Sequence, residues 1–258
     1  MVQTSVIGCG NMGSALIKGL WRAGNHTVIA CDLDPDALES VADYVDRTTA
    51  DVSEAADADV VVVAVKPDIV GAVLDDLDLS PEQTLLTIAA GVSTDYVEAR
   101  TDANVVRIMP NLAAETGDMA AAVAGDDVPD EVLELLDDVG EFAEIDENQM
   151  DIATAVNGSG PAFVFYLIQA MAEAGVDGGL EADDAETLAA QTFKGAAETV
   201  LRSERSVDDL IDAVCSPNGT TIEGMEVLWD SEAKADVVEA VTAAEERSAE
   251  IAAEFNDE

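Results

Sequence analysis

Basic residues are scarce in this sequence. Its 258 residues include 11 lysines and arginines against 55 aspartates and glutamates, which gives a formal net charge of −44. A surface with so few cations repels phosphate backbones, and no basic stripe is present, so the composition argues against a nucleic-acid-binding protein. The same shortage argues against attachment to an anionic membrane surface.

Residues that bind metals or form disulfides are also few. The three cysteines, Cys9, Cys31 and Cys215, are isolated and lie in apolar surroundings, which indicates reduced thiols in a cytoplasm. The single histidine, His26, lies at a turn, where we expect a surface residue. No metal-ligand spacing is present, so we expect no metal.

Long hydrophobic runs and targeting segments are absent too. The most apolar stretch, 161–174, is too short to span a bilayer, and no signal peptide precedes the first motif. We therefore expect a cytoplasmic protein without a membrane anchor.

Hydrophobic residues, by contrast, make up 48% of the chain, enough for a sizeable core despite the charge. The acids are spread along the whole sequence instead of forming a tail. Self-repulsion of this size is tolerable where salt screens it, because the Debye length falls from about 10 Å at 0.1 M to about 3 Å at 1 M. The composition therefore predicts a protein from a salt-adapted organism.

The chain opens with the strand-like run Val2-Gln-Thr-Ser-Val-Ile7, followed by Gly8-Cys-Gly-Asn-Met-Gly13 and a helix-forming segment. Strand, GxGxxG and helix in this order form the fingerprint of a dinucleotide-binding Rossmann unit. The glycines permit a tight turn, a close approach to the pyrophosphate and close packing of helix on strand. The helix N-terminus offers N–H groups and a positive dipole to the phosphates.

A second strand, 27–31, ends at Asp32, about 20 residues after the motif, where an acid accepts the ribose hydroxyls of NAD. The run Asp32-Leu-Asp34-Pro-Asp36 contains no base for a 2′-phosphate, which favours NADH over NADPH. Two alternatives stay open. Acids are common everywhere in this chain, so Asp32 and Asp34 need not be ribose ligands, and Arg47 could reach the ribose and favour NADPH.

Further strands are predicted at 60–65, 85–88 and 104–109, each ending in small residues or turn formers. Ligands of open α/β sheets bind beyond the carboxyl ends of the strands. Residues 64–67 and 90–91 should therefore flank the nicotinamide half of the cofactor. Lys66 is one of few lysines in the chain, and its place at a strand end favours a functional role over a merely exposed one.

The α/β alternation is predicted to stop after 131–139, and from about residue 148 the pattern is helical throughout. The expected fold is thus an α/β Rossmann domain with a mostly parallel sheet, residues 1–148, followed by an all-α domain for substrate binding and dimerisation, residues 149–258. The segment 162–171 is apolar on every side, which predicts a helix buried in a subunit interface; a monomer core helix is the alternative.

Near the C-terminus, the turn-forming run Ser216-Pro-Asn-Gly219 precedes Thr220-Thr221, which opens a predicted helix. Backbone N–H groups and two hydroxyls at a helix N-terminus suit a carboxylate ligand. A simple threonine cap is the alternative interpretation.

These motifs together resemble pyrroline-5-carboxylate reductases, the enzymes that complete proline biosynthesis. The matching segments run in order along the whole chain, and the last is the most specific: Ile7-Gly-Cys-Gly-Asn-Met-Gly13, Ala64-Val-Lys-Pro67, Ile88-Ala-Ala-Gly-Val92, Arg107-Ile-Met-Pro-Asn111, Gly158-Ser-Gly-Pro-Ala162 and Cys215-Ser-Pro-Asn-Gly-Thr-Thr-Ile-Glu223.

The resemblance implies reduction of L-1-pyrroline-5-carboxylate to L-proline, with NADPH as the usual cofactor of the family. It implies a homodimer formed through the C-terminal helices, with dimers often assembling into rings. Carried over by position, the expected cofactor residues are Ile7, Gly8, Cys9, Gly10, Asn11, Met12, Gly13, Ala64, Val65, Lys66, Pro67, Ala90 and Gly91, beside Asp32 and Asp34 from the ribose argument. The expected substrate residues are Glu147, Ser216, Gly219, Thr220 and Thr221, with the Thr221 hydroxyl on the ring nitrogen as the catalytic contact.

Departures from the family pattern include Leu112-Ala113, where a Thr-Pro pair is common, Asn218 in place of a glycine, and Lys194 in place of an apolar residue. Two other functions stay open. One is a different Rossmann reductase of the β-hydroxyacid dehydrogenase type, for which Lys194 is the candidate catalytic lysine. The other is a non-catalytic protein that binds a pyridine nucleotide.

Overall fold

The computed structural model describes residues 2–256. These residues form two compact units. One contains the described residues up to 159 together with those from 242 onward, and the other is Gly160–Val241. The first unit therefore receives the C-terminal part of the last helix as well as the N-terminal sequence.

The first unit is built on a sheet of eight strands in the order β3-β2-β1-β4-β5-β6-β7-β8. All neighbouring strands pair in parallel except β6 and β7, which are antiparallel. The mostly parallel sheet confirms the predicted Rossmann class. The strands are β1 Gln3–Ile7, β2 Thr27–Cys31, β3 Arg47–Thr49, β4 Val60–Val63, β5 Thr84–Thr87, β6 Asn104–Pro110, β7 Met119–Ala124 and β8 Gly140–Glu144.

Helices join the strands and cover the sheet, so that the central strand β4 is wholly buried. A continuous valine run suits such a strand, because β-branched side chains pack well on a pleated surface when neither face meets water. The helices of this unit are α1 Asn11–Ala23, α2 Pro35–Val41, α3 Val52–Ala55, α4 Pro67–Asp75, α5 Thr94–Glu98, α6 Asp130–Asp137 and α7 Met150–Ala153, with shorter turns at Ala42–Tyr44, Leu112–Thr116 and Glu147–Gln149.

The prediction that the α/β alternation stops after 131–139 is wrong, because strand β8 follows α6. Strand β7 has the sequence MAAAVA, which contains one β-branched residue, and β8, GEFAE, is a half-exposed edge strand with two acids. Neither carries a clear strand pattern. Their pairing with β6 is decided by the sheet, where β-propensity depends strongly on context.

The predicted surface position of His26 is also wrong. Its side chain is only 6% exposed, and Nε2 lies 2.9 Å from Oδ2 of Asp138, at the end of α6. The turn between α1 and β2 is packed against the end of a helix that lies more than one hundred residues later. A turn residue is usually exposed, so its local sequence gave no sign of this contact.

The second unit is helical, as predicted. It contains α8 Gly160–Asp177, α9 Ala182–Arg202, α10 Val207–Val214, α11 Thr220–Trp229 and the first part of α12 Ala233–Asn256. A π-helical turn, Thr154–Gly158, precedes α8 at the predicted glycine-rich kink. Helix α8 packs against α9 but keeps several large apolar side chains exposed, among them Phe165 at 67% and Tyr166 at 71%.

Candidate active site

Strand register brings three of the predicted cofactor segments to one edge of the sheet. Ile7 at the end of β1 pairs with Val63 at the end of β4, and Val63 pairs with Thr87 at the end of β5. The segments that follow, 8–13, 64–67 and 90–91, therefore leave the sheet side by side. Strands β2 and β3 lie on one side of β1, and β4 and β5 lie on the other, so the strand order reverses at β1. The carboxyl ends of β1 and β4 are therefore the topological switch point of the sheet, where dinucleotides bind.

The glycine loop packs closely against the segment after β4. Gly8 has a φ of +99°, and a Cβ atom there would lie 2.6 Å from the carbonyl oxygen of Ala64. A Cβ atom on Gly13 would lie 1.9 Å from the carbonyl oxygen of Gly8. No other side chain can occupy these two positions without moving the backbone.

Gly10 is different, because nothing lies within 4 Å of the position of a Cβ atom. Gly10 is the N-cap of α1, whose first residues are Asn11, Met12 and Gly13. The first N–H groups of a helix have no acceptor within it. Open space and unsatisfied donors at a helix start fit a pyrophosphate, so the residues present suit a dinucleotide.

Asp32 has a structural role that the sequence did not reveal. Its Oδ2 accepts a hydrogen bond from the backbone N–H of Cys9 at 2.7 Å, and its Oδ1 accepts one from the N–H of Asp34 at 2.9 Å. The carboxylate thus ties the end of β2 to the glycine loop. Each carboxylate oxygen can accept a second bond, so a ribose hydroxyl is compatible with this arrangement.

Asp34 caps α2, with its Oδ1 accepting the N–H of Asp36 at 3.0 Å. Arg47, the base that could reach the ribose, instead donates to the carbonyl oxygen of Glu54 at 2.8 Å. The loop after β2 therefore presents carboxylates, and the nearest arginine is engaged with α3.

Two cysteines lie beside this loop and are buried. Burial, and then the negative charge of Asp32, raise the pKa of the Cys9 thiol to about 12 and that of Cys31 to about 11. Both thiols stay protonated at neutral pH, and protonated thiols are poor nucleophiles. They act here as small apolar side chains that pack in the hydrophobic core beneath the sheet end, Cys9 in one cluster and Cys31 in the other.

A cleft of about 680 Å³ opens beyond β2 and β3. Its walls come from the residues that follow these strands and from one face of α4, namely Leu33, Thr49, Ala50, Asp51, Val52, Ser53, Ile69, Ala72, Val73 and Asp76. This cleft was not predicted from the sequence. The residues that line the cleft are far apart in the chain, so no local pattern connects them. The prediction of Asp32 as a ribose ligand was the one sign of a site beside this strand end.

Glu147 joins the start of α5 to strand β6. Its Oε1 accepts the backbone N–H of Thr94 at 2.8 Å and the Nη1 of Arg107 at 3.0 Å, and its Oε2 accepts the Thr94 hydroxyl. Arg107 is buried, with 6% exposure. Burial alone would raise the pKa of the Glu147 carboxyl, but the hydrogen bonds from Thr94 and the Arg107 guanidinium together bring this pKa below its ordinary value.

The threonine turn lies in the second unit. Gly219 is the N-cap of α11, and its N–H donates to the carbonyl oxygen of Ser216 at 2.9 Å. Asn218, before it, has a left-handed φ of +59°, which Asn tolerates well. Thr220 and Thr221 are the first two helical residues, so the predicted helix start is confirmed and the hydroxyls lie at the positive end of the helix dipole.

The predicted site residues thus form two groups. The first unit brings the cofactor candidates together at one sheet edge, with Glu147 beside the loop after β5. Ser216, Gly219, Thr220 and Thr221 form one turn of the second unit. Between residues 2 and 256, no cluster of three or more His, Cys, Asp or Glu side chains could hold a metal ion. No helix in this same range is long and apolar enough to cross a membrane.

Sheet, glycine loop and helical unit define a dinucleotide-dependent oxidoreductase. Two family models match the chain. Residues 3–91 match the family described as NADP oxidoreductase, coenzyme F420-dependent, and residues 147–251 match the pyrroline-5-carboxylate reductase dimerisation family.

Whole-chain relatives identify the family. The pyrroline-5-carboxylate reductase of Methanosarcina acetivorans is 37% identical over 95% of this chain and 96% of its own length. That of Pseudomonas aeruginosa is 40% identical over 97% of each. The structure of the Coxiella burnetii enzyme has a TM-score of 0.86 at 31% identity, covering 97% of this chain and 98% of that chain. The structure of a Plasmodium falciparum enzyme with NADP bound has a TM-score of 0.82 at 30% identity, covering the same shares. The chain belongs to the pyrroline-5-carboxylate reductase family.

The Glu147 network predicts a specific pH dependence. A carboxyl whose pKa is lowered on folding stabilises the fold above its unfolded-state pKa, about 4.3 for glutamate, and loses that contribution as pH falls through the lower folded-state value. Glu147→Gln should therefore be less stable than the wild type at pH 7, because it weakens the bond to Arg107. The expected loss is roughly 1 kcal/mol and no more, since Glu147 is partly exposed. The difference should shrink as the pH falls below about 4.

Denaturant unfolding in concentrated salt across this pH range measures the difference. Glu115→Gln makes the same change of charge at an exposed carboxylate that pairs with Lys18, and serves as the control. A Glu147→Gln difference that is independent of pH would contradict the assignment.

Proposed function

We propose that this protein reduces L-1-pyrroline-5-carboxylate to L-proline with NADH or NADPH, as the last step of proline biosynthesis. The observation that carries the proposal is the convergence of the loops after β1, β4 and β5 at the switch point of the sheet. The identity of the substrate is inferred from family membership, which extends over the whole chain. Lys194, which a β-hydroxyacid dehydrogenase would need, is an exposed residue within α9.

The cofactor is held mainly by backbone. The N-terminal residues of α1, next to the open position at Gly10, hold the pyrophosphate. The cleft beyond β2 and β3 receives the adenosine half. Residues 64–67 and 90–91 flank the nicotinamide, and the exposed Lys66 at the start of α4 is a nearby cation for the phosphates.

The substrate carboxylate is held by the threonine turn. The N–H groups of Thr220 and Thr221 at the start of α11 are the proposed donors, and the Gly219 N–H closes the turn on the carbonyl oxygen of Ser216. We assign Glu147 to substrate binding as well; its hydrogen bond from Thr94 fixes the start of α5, directly after the loop that follows β5. We accordingly keep the functional division at residue 148, with dinucleotide binding in 1–148 and substrate binding with dimerisation in 149–258; the dimerisation family match over 147–251 supports it.

The reaction needs orientation more than acid–base chemistry. When bound, the reduced nicotinamide supplies a hydride. The imine carbon accepts this hydride, the electron pair of the C=N double bond moves to the ring nitrogen, and the nitrogen takes up a proton from the solvent. The Thr221 hydroxyl bonds the ring nitrogen and fixes the face of the ring that meets the cofactor, while the turn clamps the carboxylate.

Thr221→Val tests this role. We expect kcat to fall by roughly 10- to 100-fold, as for loss of a hydrogen bond to a charged group, with a smaller change in KM. The measurement is the decay of reduced-nucleotide absorbance with substrate in molar KCl. Thr199→Val, which removes a hydroxyl bonded to the Gly195 carbonyl within α9, is the matched control.

A wild-type rate for Thr221→Val in a correctly assembled protein would show that Thr221 has no catalytic contact. Absence of nucleotide oxidation by the wild-type protein with either nucleotide would refute the proposed reaction and favour a non-catalytic nucleotide-binding protein.

We further propose that NADH is preferred. A 2′-phosphate would meet the carboxylates of Asp32 and Asp34, and Arg47 is engaged with the carbonyl of Glu54. The NADP-bound Plasmodium relative belongs to the same family, so the preference depends on this loop and not on the fold.

Asp34→Ser tests the preference while keeping a capping oxygen at the start of α2. Removing one negative charge should raise kcat/KM for NADPH relative to NADH by roughly fivefold to tenfold. Asp130→Ser, at the exposed start of α6, is the control and should leave the ratio unchanged. An unchanged ratio in Asp34→Ser would contradict the charge argument.

A homodimer through the helices of the second unit, with dimers assembling into a ring, is the proposed assembly. The exposed side chains of Phe165, Tyr166, Leu188 and Trp229 supply the apolar surface that a subunit interface requires. We place this assembly in the cytoplasm, consistent with the three unpaired cysteines.

Salt adaptation is proposed from the charge. With 55 acids and 11 bases, most carboxylates lack a basic partner, and each subunit brings the same net negative charge to the interface. Activity and dimer content should decline together as KCl is dialysed from above 1 M to about 0.1 M, because the Debye length rises about threefold. Light scattering and initial rates across the series measure both. Full activity and an intact dimer in dilute buffer would contradict salt adaptation.

A further inference from the structure

The C-terminal end of α12 lies against the loop that follows β5. Gly91 in this loop is buried and has a left-handed φ of +79°. A Cβ atom there would lie 3.0 Å from the Cα and 3.1 Å from the backbone nitrogen of Ala252. Backbone therefore packs directly on backbone, and glycine is required both for the conformation and for the space.

A ring contact holds the same end of the helix. The rings of Phe255 and Tyr96 meet edge to face, with centroids 4.7 Å apart and planes at 70°. Tyr96 belongs to α5, directly after the loop. The Arg100 guanidinium lies over its ring, 3.6 Å from the centroid, and its hydroxyl lies against Gly71 of α4. Phe255 is thus connected, through one tyrosine, to the helices that follow both β4 and β5.

A third contact lies one turn earlier. The Ser248 hydroxyl donates to Oδ1 of Asp151 in α7 at 2.7 Å, and Ser248 is only 8% exposed. A buried hydrogen bond to a carboxylate fixes the helix along its axis. The end of α12 is therefore held at three points, of which two lie on the loop after β5 or on the helix that it starts.

Glu147 holds the residue at which this loop ends, because it accepts hydrogen bonds from Thr94, the first residue of α5. The loop is therefore held at Gly91 by α12 and at its junction with α5 by Glu147, and neither of these belongs to strands β1 to β5. Small displacements matter here, because misplacing reacting groups by about 1 Å can cost 100-fold in rate.

We propose that the end of α12, through Gly91, Ala252 and Phe255, is a positioning element that holds the loop after β5 in its nicotinamide-binding position. The inference rests on the proposed role of residues 90–91 in cofactor binding. These residues act through the loop and need no contact with the cofactor.

Phe255→Ala tests the proposal by removing the ring contact near the end of the chain. Fluorescence titration with NADH and with NADPH, in molar KCl and without substrate, measures nucleotide binding directly. We expect Kd to rise about twofold to tenfold, the value of an aromatic pair, and KM for the nucleotide to rise with it, while KM for the imine changes less. Phe255→Leu keeps the apolar volume and should show a smaller change of the same sign. Gly91→Ala should weaken binding more than either, since it strains the loop itself.

Phe142→Ala is the matched control. Phe142 is a half-buried phenylalanine in the edge strand β8, which two strands, β6 and β7, separate from β5. The proposal predicts that Phe142→Ala binds nucleotide like the wild type even when its thermal unfolding temperature falls as far as that of Phe255→Ala. Equal weakening in the two variants would mean general destabilisation and would overturn the proposal, as would wild-type binding by Phe255→Ala and Gly91→Ala. Binding is measured without substrate, so this comparison does not depend on the proposed reaction. Failure of the wild type to oxidise nucleotide would refute the reaction, but the binding of the variants could still be compared.

Discussion

The register of three parallel strands is the constraint on which the cofactor site depends. Ile7, Val63 and Thr87 stand level in β1, β4 and β5, so the three loops that follow leave the sheet at one height. The parallel hydrogen bonds between these strands set that register. The close packing of Gly8 on Ala64 is possible only at this register.

A site of this kind explains how a strongly acidic chain can bind an anionic cofactor and an anionic substrate. The proposed donors are backbone N–H groups at the starts of α1 and α11, together with threonine hydroxyls, and none of them requires a lysine. Arg107, a buried cation beside the site, is neutralised by Glu147. With such a site, the surface could lose bases without changing the proposed binding groups, so the net charge by itself says little about the reaction.

Most of the local structure was predictable from the sequence. The strand, glycine loop and helix at the N-terminus, the valine strand β4 and the helix that starts at Thr220 each carry a periodicity or turn signal within a few residues. Strands β7 and β8 carry none, because an alanine-rich strand and an acidic edge strand depend on their neighbours for their conformation. The burial of His26 could not be predicted for a related reason, since its partner Asp138 lies at the end of a distant helix.

The sequence by itself determined the class of fold, the family and the positions of the glycine and threonine turns, because these are short-range patterns of conformation and hydrogen bonding. Only the tertiary structure decided what several of the same residues touch. Asp32 is bonded to the glycine loop, Glu147 to the start of α5, and Gly91 lies against the backbone of Ala252. Each of these contacts joins segments far apart in the chain. Which distant segments meet is set by the packing of the whole unit, which no local pattern encodes.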